Sequence, residues 1–78
     1  MRLDLHGRSV HEAWTIFKDW IYEQQGDYNI KSVNVVTGKG QIFLEFPEWC
    51  TDMSFIREIS VHKSGGAYQI YFYRKRRE

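Results

Sequence analysis

The chain holds a single cysteine, Cys50, a single proline, Pro47, and no long apolar run. One cysteine cannot close an internal disulfide or build a zinc site, so Cys50 reads as a small buried hydrophobe. A membrane-crossing helix needs about 18 or more consecutive apolar residues, and none are present. Arg2, Asp4, His6 and Arg8 fall where a secretory signal would need an apolar stretch. No membrane partner is expected, and the cytoplasm is the expected compartment. Charge of one sign is also scarce: eleven Lys and Arg against ten Asp and Glu leave a net +1, which does not mark a bulk polyanion binder. Internal repeats, linkers and low-complexity segments are lacking as well.

What the sequence has is apolar and aromatic mass. With 78 residues it is long enough for one domain and too short for two. Such a domain buries roughly 60–65% of the surface its unfolded chain exposes, so modest stability is expected. The 42% hydrophobic and 17% aromatic content exceeds what disordered chains carry. Trp14, Phe17, Trp20, Trp49 and Phe72 can fill a small core with few residues. The basic residues cluster at the end, in Arg74-Lys75-Arg76-Arg77. The domain is taken as residues 1–74 and a basic tail as 75–78; four cations beside an aromatic strand are suited to a phosphate backbone.

Periodicity places the elements. Arg2-Leu3-Asp4-Leu5 alternates polar and apolar, and a strand is expected over 3–6. Gly7-Arg8 breaks it. Ser9-Val10-His11-Glu12 has the form of a capping box, and Val10, Ala13, Trp14, Phe17, Trp20 and Ile21 recur at helical spacing. A helix over 10–25 follows, stopped by Gly26. Residues 32–37 are β-branched and read as a strand. Beyond them two readings are open: a hairpin whose tip is Gly38-Lys39-Gly40, slightly favoured by local pattern, or a helix over 41–50. Pro47 is awkward for both, lacking an amide donor and disfavouring helical geometry at Phe46. A less regular strand is expected over 54–61, a loop over 62–66, and a clear strand over 67–74, where Tyr68, Ile70 and Phe72 alternate with polar or half-polar neighbours.

Two segments carry chemistry. Residues two apart in a strand share a face, which would put Asp4 beside His6. A carboxylate can orient an imidazole, and the imidazole can move a proton near neutral pH. Thr37-Gly38-Lys39-Gly40 suits a phosphate if it opens a helix, because helix N-terminal amides carry partial positive charge. Lys39 would add a full charge and Thr37 a hydroxyl. A β-α-β unit over residues 3–37 would run its strands parallel and bring both Gly-containing loops to the carboxyl edge of the sheet. Open α/β sheets bind ligands at that edge.

Leu3-Asp4-Leu5-His6-Gly7 followed by Ser9-Val10-His11-Glu12-Ala13 resembles the opening of the Smr (small MutS-related) domain. Thr37-Gly38-Lys39-Gly40 is similar to that family's second motif. Phe46-Pro47-Glu48-Trp49-Cys50 and Ser64-Gly65-Gly66-Ala67 resemble its later segments, so the resemblance covers nearly the whole chain in order. It implies a single-domain member with an α/β fold (an α+β two-layer sandwich) of order β-α-β-α-β-β: a four-stranded mixed sheet with two helices on one face. Residues 41 onward then become helix. It also implies nucleic-acid cleavage: nicking of DNA in some members and cutting of RNA in others, including messenger RNA on stalled ribosomes. Thr37 stands where some nucleases of the family have His, which would leave the site without a second imidazole.

Three functional classes follow. The first is an endonuclease, RNA ahead of DNA, with Asp4 and His6 catalytic and Thr37, Gly38, Lys39 and Gly40 on the phosphate. Arg8, Arg74, Lys75, Arg76 and Arg77 would bind nucleic acid. No metal or cofactor is required, although Asp4 could support Mg²⁺. The second is a nucleic-acid-binding module without catalysis, in which Tyr68, Tyr71 and Tyr73 stack on bases beside the basic tail. The third is a protein-interaction domain, which an exposed Trp14, Trp20 or Trp49 would favour.

Overall fold

The structure is a computed structural model that describes residues 1–73. Its elements run β1 (Arg2–Asp4), α1 (Val10–Gln25), β2 (Ser32–Val36), α2 (Gln41–Thr51), β3 (Ile56–Val61) and β4 (Ala67–Phe72). The sheet order is β1-β2-β4-β3; β1 and β2 are parallel and the other pairs antiparallel. This is the mixed four-stranded sheet and element order that the family resemblance implied.

The amphipathic pattern explains the layers. Val33, Val35, Tyr68, Ile70 and Phe72 are buried on one face of the sheet. Ala13, Phe17 and Ile21 from α1, with Ile42, Phe46 and Cys50 from α2, complete the core. Arg2, Asn34, Gln69 and Ser60 line up in register across all four strands. As alternate residues to the buried ones, they occupy the other, polar face. Helix α1 starts where expected: the Ser9 hydroxyl receives the Glu12 amide and Glu12 reaches back to the Ser9 amide. β3 begins two residues later than expected and carries a bulge between Ile56 and Glu58. The extra residue accounts for its irregular apolar spacing.

The locally favoured hairpin over 38–46 is not what forms. Residues Gln41–Thr51 are helical because only a helix buries Ile42, Phe46 and Cys50 together, one turn apart on one side. Phe46 is fully buried, with its ring 4.8 Å from Phe17 and 4.8 Å from Tyr68. Burying such a side chain stabilises by roughly 1.5–3 kcal/mol. That is comparable with the cost of about 3 kcal/mol for a proline inside a helix. Pro47 has no amide to give the carbonyl four residues back, which is that of Phe43. The Tyr68 hydroxyl takes the amide's place, donating to the Phe43 carbonyl at 2.9 Å. Burial, and secondarily Cys50, raises the Tyr68 phenol above its ordinary pKa, so it stays a donor. Tyr68 therefore repairs the helix that Pro47 interrupts.

Two expectations follow. Tyr68→Phe should lower unfolding stability by about 1–2 kcal/mol by leaving the Phe43 carbonyl without a donor. In a Pro47→Ala background, where the introduced alanine supplies an amide, denaturant melts should show most of that cost gone. Cys50 is buried, and burial pushes its thiol up to about 12. It should resist alkylation by iodoacetamide at pH 8 in the native state and react at once in urea, as intact mass would record.

Candidate functional site

Two turns leave one edge of the sheet and meet. After β1, the Leu5 amide extends the parallel pairing with a 2.7 Å bond to the Val36 carbonyl. The chain then reverses through Gly7 at φ +84°, a left-handed geometry that glycine adopts at little cost. His6 thus sits in a turn, outside the expected strand over 3–6. Strand periodicity is not what relates it to Asp4. Asp4 Oδ1 accepts the His6 backbone amide at 2.9 Å, an Asx turn. The carboxylate bond observed holds the His6 main chain and not its ring.

After β2 the loop is tied down from a distance. The amides of Thr37 and Gly38 both donate to the Gly66 carbonyl, at 2.9 and 3.0 Å. Thr37 is only 3% exposed, and its hydroxyl donates within the loop, to Gly38 O at 2.8 Å and Gly66 O at 3.3 Å. The hydroxyl and Gly38 amide, expected on a phosphate, instead hold the loop in shape. Gly38 has φ +76°, and a Cβ there would stand 3.0 Å from His6 Cδ2. The imidazole therefore rests on the face of Gly38, and the two sequence motifs are in direct contact. The stem of Lys39 lies along Gly65 and Gly66, 3.7–3.9 Å from where their Cβ atoms would be.

The two helix N-termini beside this contact differ. α1 is closed by its own residues, with Glu12 bonded to Ser9 by backbone and side chain. The Ser9 hydroxyl, then its amide, holds the Glu12 carboxyl below its ordinary range. α2 is preceded at its N-cap by Gly40, which offers no side-chain cap, and its first turn carries no acid. The amides of a helical first turn have no acceptor within the helix. A Cβ at Gly40 would meet nothing within 4 Å, so the approach to these amides is open. They have the polarity and access an anion needs.

Two cavities flank His6. One, of about 510 Å³, lies between the helix N-termini and is lined by His6, Arg8, Lys39, Gly40 and Gln41 among others. The other, of about 820 Å³, opens on the polar face of the sheet and is lined by Arg2, His6, Asn34, Lys39, His62 and Ser64 with their neighbours. His6, Gly38 and Lys39 belong to both walls. Arg8 lines the smaller cavity.

His62 and Arg2 are additions that the sequence reading missed. β4 is antiparallel to β2, with Ala67 opposite Val36, so the turn before β4 lies at the same edge as the loop after β2. Correct strand order was the signal that would have placed His62 there.

Other expected contacts do not gather at the site. Tyr68 is core, stacked on Phe43 and Phe46 at 5.0 and 4.8 Å, and is unavailable to a base. Tyr71 lies beneath the Arg57 guanidinium at 5.7 Å, and Tyr73 is exposed. Arg74, Lys75, Arg76 and Arg77 lie outside the described residues. Trp14, Trp20 and Trp49 all pack against the core, Trp14 on Trp49 at 5.4 Å, so the exposed tryptophan that protein docking would favour is not among the described residues. Among those residues no three His, Cys, Asp or Glu side chains converge as a metal site, and no helix is long and apolar enough to cross a membrane.

The Smr domain model matches residues 3–70, which include both motifs. The fold is similar to the crystal structure of the Smr domain of Thermus thermophilus MutS2, with a TM-score of 0.76 over 92% of this chain and 96% of that one. Identity there is 17%, so that likeness concerns the fold. No curated protein matches the chain at a significant level. With the family model spanning most of the sequence and the two motifs in contact at one sheet edge, the chain belongs to the Smr domain family, known for nuclease and nucleic-acid-binding roles.

Proposed function

We propose that the chain is an endonuclease that cuts RNA at the junction of the two cavities. The observation that carries the reading is the His6 imidazole seated on Gly38, beside Lys39 and the uncapped N-terminus of α2. RNA contains its own nucleophile in the 2′-hydroxyl, so the protein must move protons and stabilise charge on the phosphate. His6 takes the 2′-hydroxyl proton as the oxygen attacks phosphorus. Lys39 and the first-turn amides of α2 hold the non-bridging oxygens, whose charge grows in the transition state. Asp4 fixes the backbone of His6 and so its reach. Arg8, in the wall of the smaller cavity, suits a neighbouring phosphate. These residues take the 2′-hydroxyl proton and hold the phosphate themselves; Mg²⁺ at Asp4 would be an addition to them. In this reading the substrate is cytoplasmic RNA, ribosome-bound messages included, as the family resemblance implies.

A second reading, binding without cleavage, draws on the half-buried Tyr71 with Arg57 above it and on the polar sheet face. The two are separated by one pair of proteins. Wild type should cut labelled single-stranded RNA, and His6→Ala should lose about 10²-fold or more of that rate, the usual scale of general base catalysis. His6→Ala should still bind the RNA, with affinity that falls steeply as salt rises. Equal cutting by both proteins would remove His6 from the chemistry, and salt-sensitive binding without any cutting would establish the second reading. EDTA in parallel reactions reads out any role for Mg²⁺, and matched DNA reads out the sugar requirement.

A further inference from the structure

A reaction in which the 2′-oxygen displaces the 5′-oxygen needs two proton transfers, and His6 accounts for one. His62 is exposed at the start of the turn between β3 and β4 and lines the larger cavity. Among the described residues no carboxylate lines that cavity: the charged or titratable companions of His62 there are Arg2 from β1, His6 from the first turn and Lys39 from the Gly-rich loop. Backbone hydrogen bonds close the turn. The His62 amide donates to the Ala67 carbonyl at 2.8 Å, and the Gly65 amide to the His62 carbonyl at 2.8 Å. The same turn supplies the Gly66 carbonyl that holds Thr37 and Gly38. His62 and the phosphate loop are therefore positioned by one structural unit.

The ring is oriented too. His62 Nδ1 receives the Ser64 amide at 3.2 Å and lies 3.0 Å from the Ser64 hydroxyl. In the neutral ring Nδ1 accepts from Ser64, which assigns the remaining proton to Nε2. In the cationic ring Nδ1–H can donate to the Ser64 oxygen once the Ser64 amide has turned away from Nδ1. Either way Nε2–H is the group left for a ligand.

We infer that His62 is the general acid of this site, giving the Nε2 proton to the 5′-oxygen as it leaves. The inference rests on the RNA-cleaving reading above. The balance is complete: the 2′-oxygen–phosphorus bond forms while its proton passes to His6, the phosphorus–O5′ bond breaks, and O5′ receives the His62 proton. The products are a 2′,3′-cyclic phosphate and a 5′-hydroxyl end. His62 finishes neutral and His6 cationic, and exchange with water restores both. Arg2 and Lys39 carry positive charge into the same cavity and suit the phosphate on which the two imidazoles act.

The test uses two substrates that differ only in the leaving group: uridylyl-(3′,5′)-adenosine and uridine 3′-(4-nitrophenyl phosphate). The first expels a strongly basic alkoxide that needs a proton; the second expels 4-nitrophenolate, which does not. For His62→Ala the dinucleotide rate should fall by about 10²–10⁴-fold, the range of general acid catalysis, while the nitrophenyl ester loses only a few-fold. His6→Ala should lose activity on both. A similar loss on both esters by His62→Ala would make His62 structural or binding, and no loss on either would make it a bystander; each overturns the inference. A wild type that cuts the nitrophenyl ester through His6 keeps the cleavage reading even when His62 fails. A wild type that cuts neither ester overturns both.

Discussion

One carbonyl organises the site. The oxygen of Gly66 accepts the amides of Thr37 and Gly38 and lies 3.3 Å from the Thr37 hydroxyl. That cluster joins the end of β2 to the turn before β4, two segments about thirty positions apart in the chain. It fixes Gly38 at a positive φ, against which the His6 ring is seated. It leaves the stem of Lys39 lying over Gly65 and Gly66, in the wall that the two cavities share. Thr37 therefore contributes through shape. Its buried hydroxyl bonds with backbone, and a buried polar group so satisfied is a structural fixture.

The second constraint is the Pro47–Tyr68 pair. The open N-terminus of α2 is useful only if α2 exists, and the proline in its interior works against that. Phe46, buried between Phe17 and Tyr68, favours the helix, and the Tyr68 hydroxyl satisfies the carbonyl that Pro47 leaves bare. β4 thus supports the site at two points, with Tyr68 under α2 and the turn before Ala67 under the loop. Such convergence lets a small core hold a defined geometry at its rim.

Much of this was legible in the sequence, for reasons that can be named. The capping box and apolar spacing of α1 are local signals, and the helix begins and ends where they place it. Alternation in β4 is likewise local. The fate of residues 41–51 was not, because their preference for helix depends on what buries Phe46 and what bonds the Phe43 carbonyl, both supplied by distant elements. The family resemblance settled it where local pattern leaned toward a hairpin. At the site, Asp4 and His6 were expected to share a strand face, but the strand ends before His6, and the carboxylate takes the backbone. Tyr68 as a base platform was misjudged because alternation marks two faces without saying which one the helices cover. His62 could not be found from its neighbours. Only the antiparallel pairing of β2 with β4 brings residue 62 to the edge where His6 stands.

The proposed cleavage requires a nucleotide phosphate at the N-terminus of α2, against Lys39 and the His6–Gly38 contact. Titration of ¹⁵N-labelled protein with uridine 3′-monophosphate tests this without requiring turnover. Binding there should give saturable shifts in the amides of Lys39, Gly40, Gln41 and Ile42 and in the His6 ring, with the outer faces of α1 and α2 unmoved. Shifts gathered elsewhere on the surface, or none at millimolar ligand, would contradict it.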